Sequence, residues 1–121
     1  MASFVLRLRL VLGPMLLALP AAGQAHAILV SSEPAANGTV ASGPQELEFR
    51  FNSRIDSGRS RLTLTDPDSQ TVVIPVAGGG VGNVLLSKVD LKPGAQTVRW
   101  QVLAVDGHIT RGSVPFTVRA P

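Results

Sequence analysis

Apolar residues recur at every second position in several short runs of this chain, and the clearest run lies near the C-terminal end. Val98, Trp100, Val102 and Ala104 share one face of a predicted strand. Leu47, Phe49 and Phe51 alternate with Glu46, Glu48 and Arg50, which predicts a half-buried strand with a defined inner face. Leu62 and Leu64 alternate with Arg61, Thr63 and Thr65, and Val114, Phe116 and Val118 close the chain in the same way. Residues 71–76 are β-branched, residues 83–89 read as a further strand, and residues 27–30 make a short apolar start.

Turn chemistry separates these runs. Residues 31–38 and the polar stretch 52–60 read as loops, and Asp66-Pro67-Asp68-Ser69 and Leu91-Lys92-Pro93-Gly94 read as tight turns. Gly78-Gly79-Gly80 and Gly82 read as a flexible crossing between strands; no Lys-Ser or Lys-Thr pair or helical pattern follows to make a phosphate loop. No helical period of useful length occurs. Seven or eight short strands predict an all-β fold, a small antiparallel Greek-key β-sandwich or barrel. Its small aromatic core would hold Phe49, Phe51 and Phe116, with Trp100 at the centre.

The first 25 residues have a different character. Arg7 and Arg9 precede a mostly apolar stretch interrupted by Gly13 and Pro14, and small residues follow. This is the pattern of a cleaved secretory signal, with Gly23 and Ala25 at the positions a signal peptidase prefers. Ala25-His26-Ala27 offers a second small-x-small site, and cleavage there would discard His26. Processing after Ala25 leaves about 96 residues, enough for one small domain over residues 26–121. That domain contains no further apolar run near the ~20 residues of a membrane helix.

Removing the signal also changes the charge. Of 11 Lys and Arg, Arg7 and Arg9 leave, so 9 remain against 8 Asp and Glu. The high isoelectric point is therefore no argument for nucleic-acid binding. Arg54, Arg59 and Arg61 form the densest basic group and read as a solvated loop and strand face. The chain contains no cysteine, which excludes disulfides and thiolate metal sites.

Two histidines remain as candidate chemistry. His26 would become the first residue of the processed chain, and His108 belongs to Asp106-Gly107-His108 at the end of the Trp100 strand. A free α-amine and the Nδ1 of His26 can close a chelate on one metal ion; the amine's reference pKa of about 7.7–8.0 lets a metal compete with its proton. His108 would add a third nitrogen and Asp106 an anionic oxygen. Three nitrogens and one oxygen suit Cu(II) among the first-row divalent ions. Asp-Gly is equally a common turn signal, and a histidine in a turn is commonly a solvated polar residue.

From His26 onward the sequence resembles the CopC family of exported or periplasmic copper-binding proteins. The resemblance rests on His26-Ala27-x-Leu29-x-x-Ser32-x-Pro34-Ala35-x-x-Gly38, then Pro44 and Leu47-x-Phe49-x-Phe51. It continues through Leu91-x-Pro93-Gly94, Val98-x-Trp100-x-Val102, Asp106-Gly107-His108, Gly112 and Phe116-x-Val118. It implies a cupredoxin-like or immunoglobulin-like β-barrel or sandwich. It also implies one Cu(II) per chain, held by His26 through amine and ring, Asp106 and His108. Many members carry a Glu shortly after the Phe-x-Phe strand, where this chain has Asn52-Ser53. Some carry a Met-rich loop for Cu(I), whereas the only methionines here are Met1 and Met15, both in the signal. The ligand inventory thus predicts a Cu(II)-only site.

The expectation is a non-catalytic, monomeric copper carrier outside the cytoplasmic membrane, buffering copper or passing it to an acceptor. By resemblance, the acceptor is a CopD-type membrane transporter. Two other classes compete. Amine-plus-histidine copper sites also serve copper oxygenases, in which an open coordination position meets O₂. A plain β-sandwich interaction or adhesion module would carry both histidines incidentally, and a processed chain beginning at Ile28 would favour it.

Overall fold

The computed structural model describes residues 26–77 and 81–121; the predicted signal and the three glycines at 78–80 lie outside the described residues. Seven strands follow in order: β1 Leu29–Glu33, β2 Gly38–Ala41, β3 Gly43–Thr65, β4 Thr71–Ile74, β5 Val81–Leu91, β6 Gly94–Ala104 and β7 Ile109–Arg119. They form one curled all-β sheet with the order β1-β3-β6-β7-β2, with β4 and β5 also pairing to β3. All pairings are antiparallel except β2 on β7, which is parallel.

The strand alternation anticipated from the sequence sets the core. Leu47, Phe49, Phe51, Leu62, Val98, Val102 and Val114 are essentially inaccessible, and Trp100 is buried with them. The Trp100 and Phe51 rings meet edge to face with centroids 5.1 Å apart, a favoured geometry for aromatic quadrupoles. Gly112 stands opposite Trp100 on β7, and a side chain there would collide with the indole.

Two segments differ from the sequence reading. Residues 52–60, expected to be a polar turn region, belong to β3, which runs unbroken for 23 residues. Its first half pairs with β1 and β5 and its second half with β4 and β6. Extra residues are absorbed by bulges between Arg50 and Ile55 and between Asp56 and Arg61. The polar side chains replace missing ladder bonds: Ser60 Oγ donates to the Asp56 carbonyl at 2.7 Å and accepts from the Leu103 amide at 3.3 Å. Ile55, fully buried, anchors the crossing. The second difference is at the start of the domain. β1 extends to Glu33 inside the expected 31–38 loop, and β2 adds a strand too short to show alternation.

Candidate metal centre

The β6–β7 hairpin carries the Asp-Gly-His sequence at its tip. The Ala104 amide donates to the His108 carbonyl at 2.8 Å, and the Gly107 amide donates to the Ala104 carbonyl at 2.8 Å. Gly107 has a φ of 95°, in the left-handed region where a glycine is needed. That bend turns the Asp106 carboxylate onto His108. Oδ1 accepts from the His108 backbone amide at 3.1 Å, and Oδ2 lies 3.0 Å from the ring nitrogen Nδ1. The His108 backbone amide foremost, with a further contribution from its imidazole, holds the Asp106 carboxyl below its ordinary range against the opposing effect of desolvation. An ionised carboxylate can only accept, so His108 carries its proton on Nδ1 in this arrangement.

His26 arrives from the other end of the described chain. Its ring stands 5.0 Å from that of His108, at an interplanar angle of 66°. The next two residues fix this position. Ala27 is fully buried, and its carbonyl accepts the Thr110 hydroxyl at 2.7 Å. Ile28 is clamped by Asn52: its amide donates to Asn52 Oδ1 at 2.7 Å and its carbonyl accepts the Asn52 amide at 2.9 Å.

The structure therefore brings His26 to His108 and holds Asp106 on His108. Among the described residues, no three His, Cys, Asp or Glu side chains form a group that could hold a metal ion. His26 and Asp106 each approach His108 without all three standing around one point, so a metal held by the three would draw them closer together than they stand here, and a terminal amine at His26 would add a further donor. Asn52 and Thr110 position the arm and were not nominated from the sequence. Asn52 sits between Phe51 and Ser53, the position where a family Glu was sought, and Thr110 looks like an ordinary strand threonine. Ile28, two residues from His26, and Val105 and Ile109, which flank Asp106 and His108, are about half exposed.

Comparison with known proteins decides the lineage. A family model for the CopC domain matches residues 29–119. The chain belongs to the CopC family. Protein YobA of Escherichia coli strain K12 is 32% identical over 110 residues, covering 78% of this chain and 80% of that protein. The copper transport protein CutJ of Bacillus subtilis strain 168 is 27% identical over 105 residues, covering 83% of this chain but 19% of that longer protein. Among solved structures, CopC from Methylosinus trichosporium OB3b superposes with a TM-score of 0.71 at 30% identity, covering 78% of this chain and 95% of that one. PcoC, a methionine-rich copper resistance protein from Escherichia coli, shares the fold with a TM-score of 0.61 at 24% identity, covering 78% of this chain and 100% of that one. This CopC-family fold is the β-barrel or sandwich expected from the strand pattern. Among its described residues, no helix is long and apolar enough to cross a membrane.

Proposed function

We propose that this CopC-family protein is an exported, non-catalytic carrier that binds one Cu(II). The carrying observation is the approach of His26 to His108 across the fold, beside an Asp106 already turned onto the second ring. His108 and Asp106, whose Nδ1 and Oδ2 already lie 3.0 Å apart, would hold the ion together. His26 supplies its ring and, after processing behind Ala25, its α-amine. The buried Ala27 supports that processing site, because cleavage at the alternative site, behind Ala27, would remove a core residue and the acceptor of Thr110.

No methionine lies within residues 26–121, so the donors are nitrogen and oxygen and favour Cu(II) over Cu(I). The alignment with part of a protein named for copper transport supports delivery to a membrane transporter, of the CopD type that the family resemblance implies. The test is an intact mass of the protein exported by its own host, with and without one equivalent of Cu(II). A chain beginning at His26 and keeping one copper is expected. A chain beginning at Ile28, or copper retention unchanged by His108→Ala, would overturn the reading.

A further inference from the structure

Leu62, Trp100 and Gly112 stand opposite one another on β3, β6 and β7, with Leu62 and Trp100 turned into the core. The neighbouring rows turn outward. On one side Gln101 pairs with Arg61 and Arg111; on the other Arg99 pairs with Thr63 and Ser113. Between them lies a groove of about 230 Å³ over Trp100 and Gly112. All three arginines are exposed. Arg111 Nε donates to Gln101 Oε1 at 2.9 Å, and none of the three makes an ion pair among the described residues. Elsewhere Arg50 sits on Glu48, Arg59 on Asp56, and Lys92 on Asp66 and Asp68. Arg54, Lys88 and Arg119 are also without ion pairs among the described residues, but the strand register gathers them into no common row: Lys88 stands opposite Glu46 and Arg119 opposite Ala41.

We propose that this outer face is a docking site for an acidic, extended segment of a protein partner. Residues diagonal to one another on paired strands lie about 7–8 Å apart, which is the spacing of Arg99 from both Arg61 and Arg111. Arg61 and Arg111 flank Gln101 from the two neighbouring strands, so the three arginines form a triangle with Arg99 at its apex. Alternate side chains of an extended peptide repeat every ~6.8 Å, so two carboxylates on one of its faces meet Arg99 and either neighbour, and the third arginine adds charge beside them. Guanidinium forks bind such carboxylates bidentately, and Thr63, Gln101 and Ser113 add hydrogen-bonding groups between them. An open, flat face with three separated charges suits a row of anions better than one enclosed ion. The nearest carboxylate along the face, Asp56, is engaged by the Gly58 amide and Arg59.

One row further along, Leu103 pairs with the exposed Ile109, the residue after His108. A partner seated on the arginines thus lies beside the metal centre. Only this link to delivery rests on the copper reading; the docking itself does not.

The test is a titration of the ¹⁵N-labelled protein, isolated from its own host, with a short peptide of alternating Glu and Thr at low ionic strength. Amide shifts centred on residues 61–63, 99–101 and 111–113 are expected. Arg99→Gln should weaken binding about three-fold, and the triple replacement of Arg61, Arg99 and Arg111 by Gln about ten-fold or more. Arg119→Gln removes equal charge from the far end of β7 and should change it less than about two-fold. Equal affinity for wild type and Arg99→Gln, or shifts centred elsewhere, overturns the proposal. Tighter binding of inorganic phosphate, phosphatidylglycerol vesicles or single-stranded DNA also overturns it. Copper affinity should be the same in wild type and the triple variant; a wild type that binds no copper overturns the carrier reading alone.

Discussion

The Thr110 hydroxyl donates to the Ala27 carbonyl at 2.7 Å, joining residues 83 positions apart and tying β7 to the residue that follows His26. The two ends of the proposed site are thereby coupled through the fold as well as through any metal. Thr110→Val keeps the shape of the side chain and removes the donor, leaving the Ala27 carbonyl without that partner. We expect a loss of about 1 kcal/mol in urea unfolding. Copper affinity should also fall several-fold although both histidines remain, because the His26 arm is no longer pinned. Unchanged affinity would show that the arm is held without Thr110.

Much of this arrangement could be read from the sequence. Inner faces followed from two-residue alternation, since burial on one side of a strand imposes that period on Leu47, Phe49 and Phe51 as on Val98, Trp100 and Val102. The long course of β3 could not be read in that way. Its bulged middle is solvated, and its bonds run through Ser60 and Asp56, so residues 52–60 carry loop-like composition in a strand. The candidate site was legible in His26, Asp106 and His108, which chemistry singles out. Asn52 and Thr110 were not, because a clamp between distant backbone segments leaves no local pattern.

At the other end of the barrel, Asp66 caps its own turn. Its Oδ1 accepts from the Asp68 and Gln70 amides, and its Oδ2 lies 3.1 Å from Lys92 Nζ. The Gln70 amide foremost, with Lys92 and Asp68, lowers the Asp66 pKa against the opposing effect of desolvation. A carboxyl lowered in the folded state stabilises the fold above its unfolded pKa, near 3.9. That contribution is lost as pH falls through the lower folded value. Asp66→Asn should therefore flatten the acid limb of the stability profile below about pH 4. The partner Lys92 is raised, chiefly by its hydrogen bond to Asp66. Its contribution is complete below its unfolded pKa, about 10.4, and is lost as pH rises through the folded value. An acid limb identical to wild type in Asp66→Asn would refute the assignment.

Gly112 makes a separate case for shape. A Cβ at this position would collide with Trp100 Cζ2 and lie 2.6 Å from its Cε2. The indole is packed on Phe51 and has little room to yield. Gly112→Ala should cost about 1–3 kcal/mol, the range for overfilling a packed interior. Tryptophan fluorescence should change at the same time, since Trp100 is the sole indole of the chain. A normal spectrum with normal stability would mean that the indole moves aside freely.

Ser87 is fully buried opposite Leu47, and its hydroxyl has no hydrogen-bond partner among the described residues. Removing a stranded hydroxyl relieves its desolvation cost and leaves a volume change of one oxygen. Ser87→Ala is expected to stabilise the protein by about 1 kcal/mol, measured by urea unfolding. Destabilisation would reveal a polar partner for this side chain in solution.

Copper itself should act as a stabilising ligand. An ion that binds the folded chain and not the unfolded one raises stability by about 2.7 kcal/mol at a hundred times its dissociation constant. Thermal melting of the protein should therefore shift upward with Cu(II) and return when a chelator removes it. His108 is exposed at a hairpin tip, so His108→Ala should leave the metal-free protein within about 0.5 kcal/mol of wild type. The same variant should lose most of the copper-dependent shift, because one ring nitrogen and the partner of Asp106 disappear together. Asp106→Asn tests the oxygen: it preserves a hydrogen-bonding group but removes the anion, and should move the visible absorption band of the Cu(II) complex. If the band stays in place while affinity falls, Asp106 orients His108 from outside the coordination sphere and the metal is held by nitrogen alone.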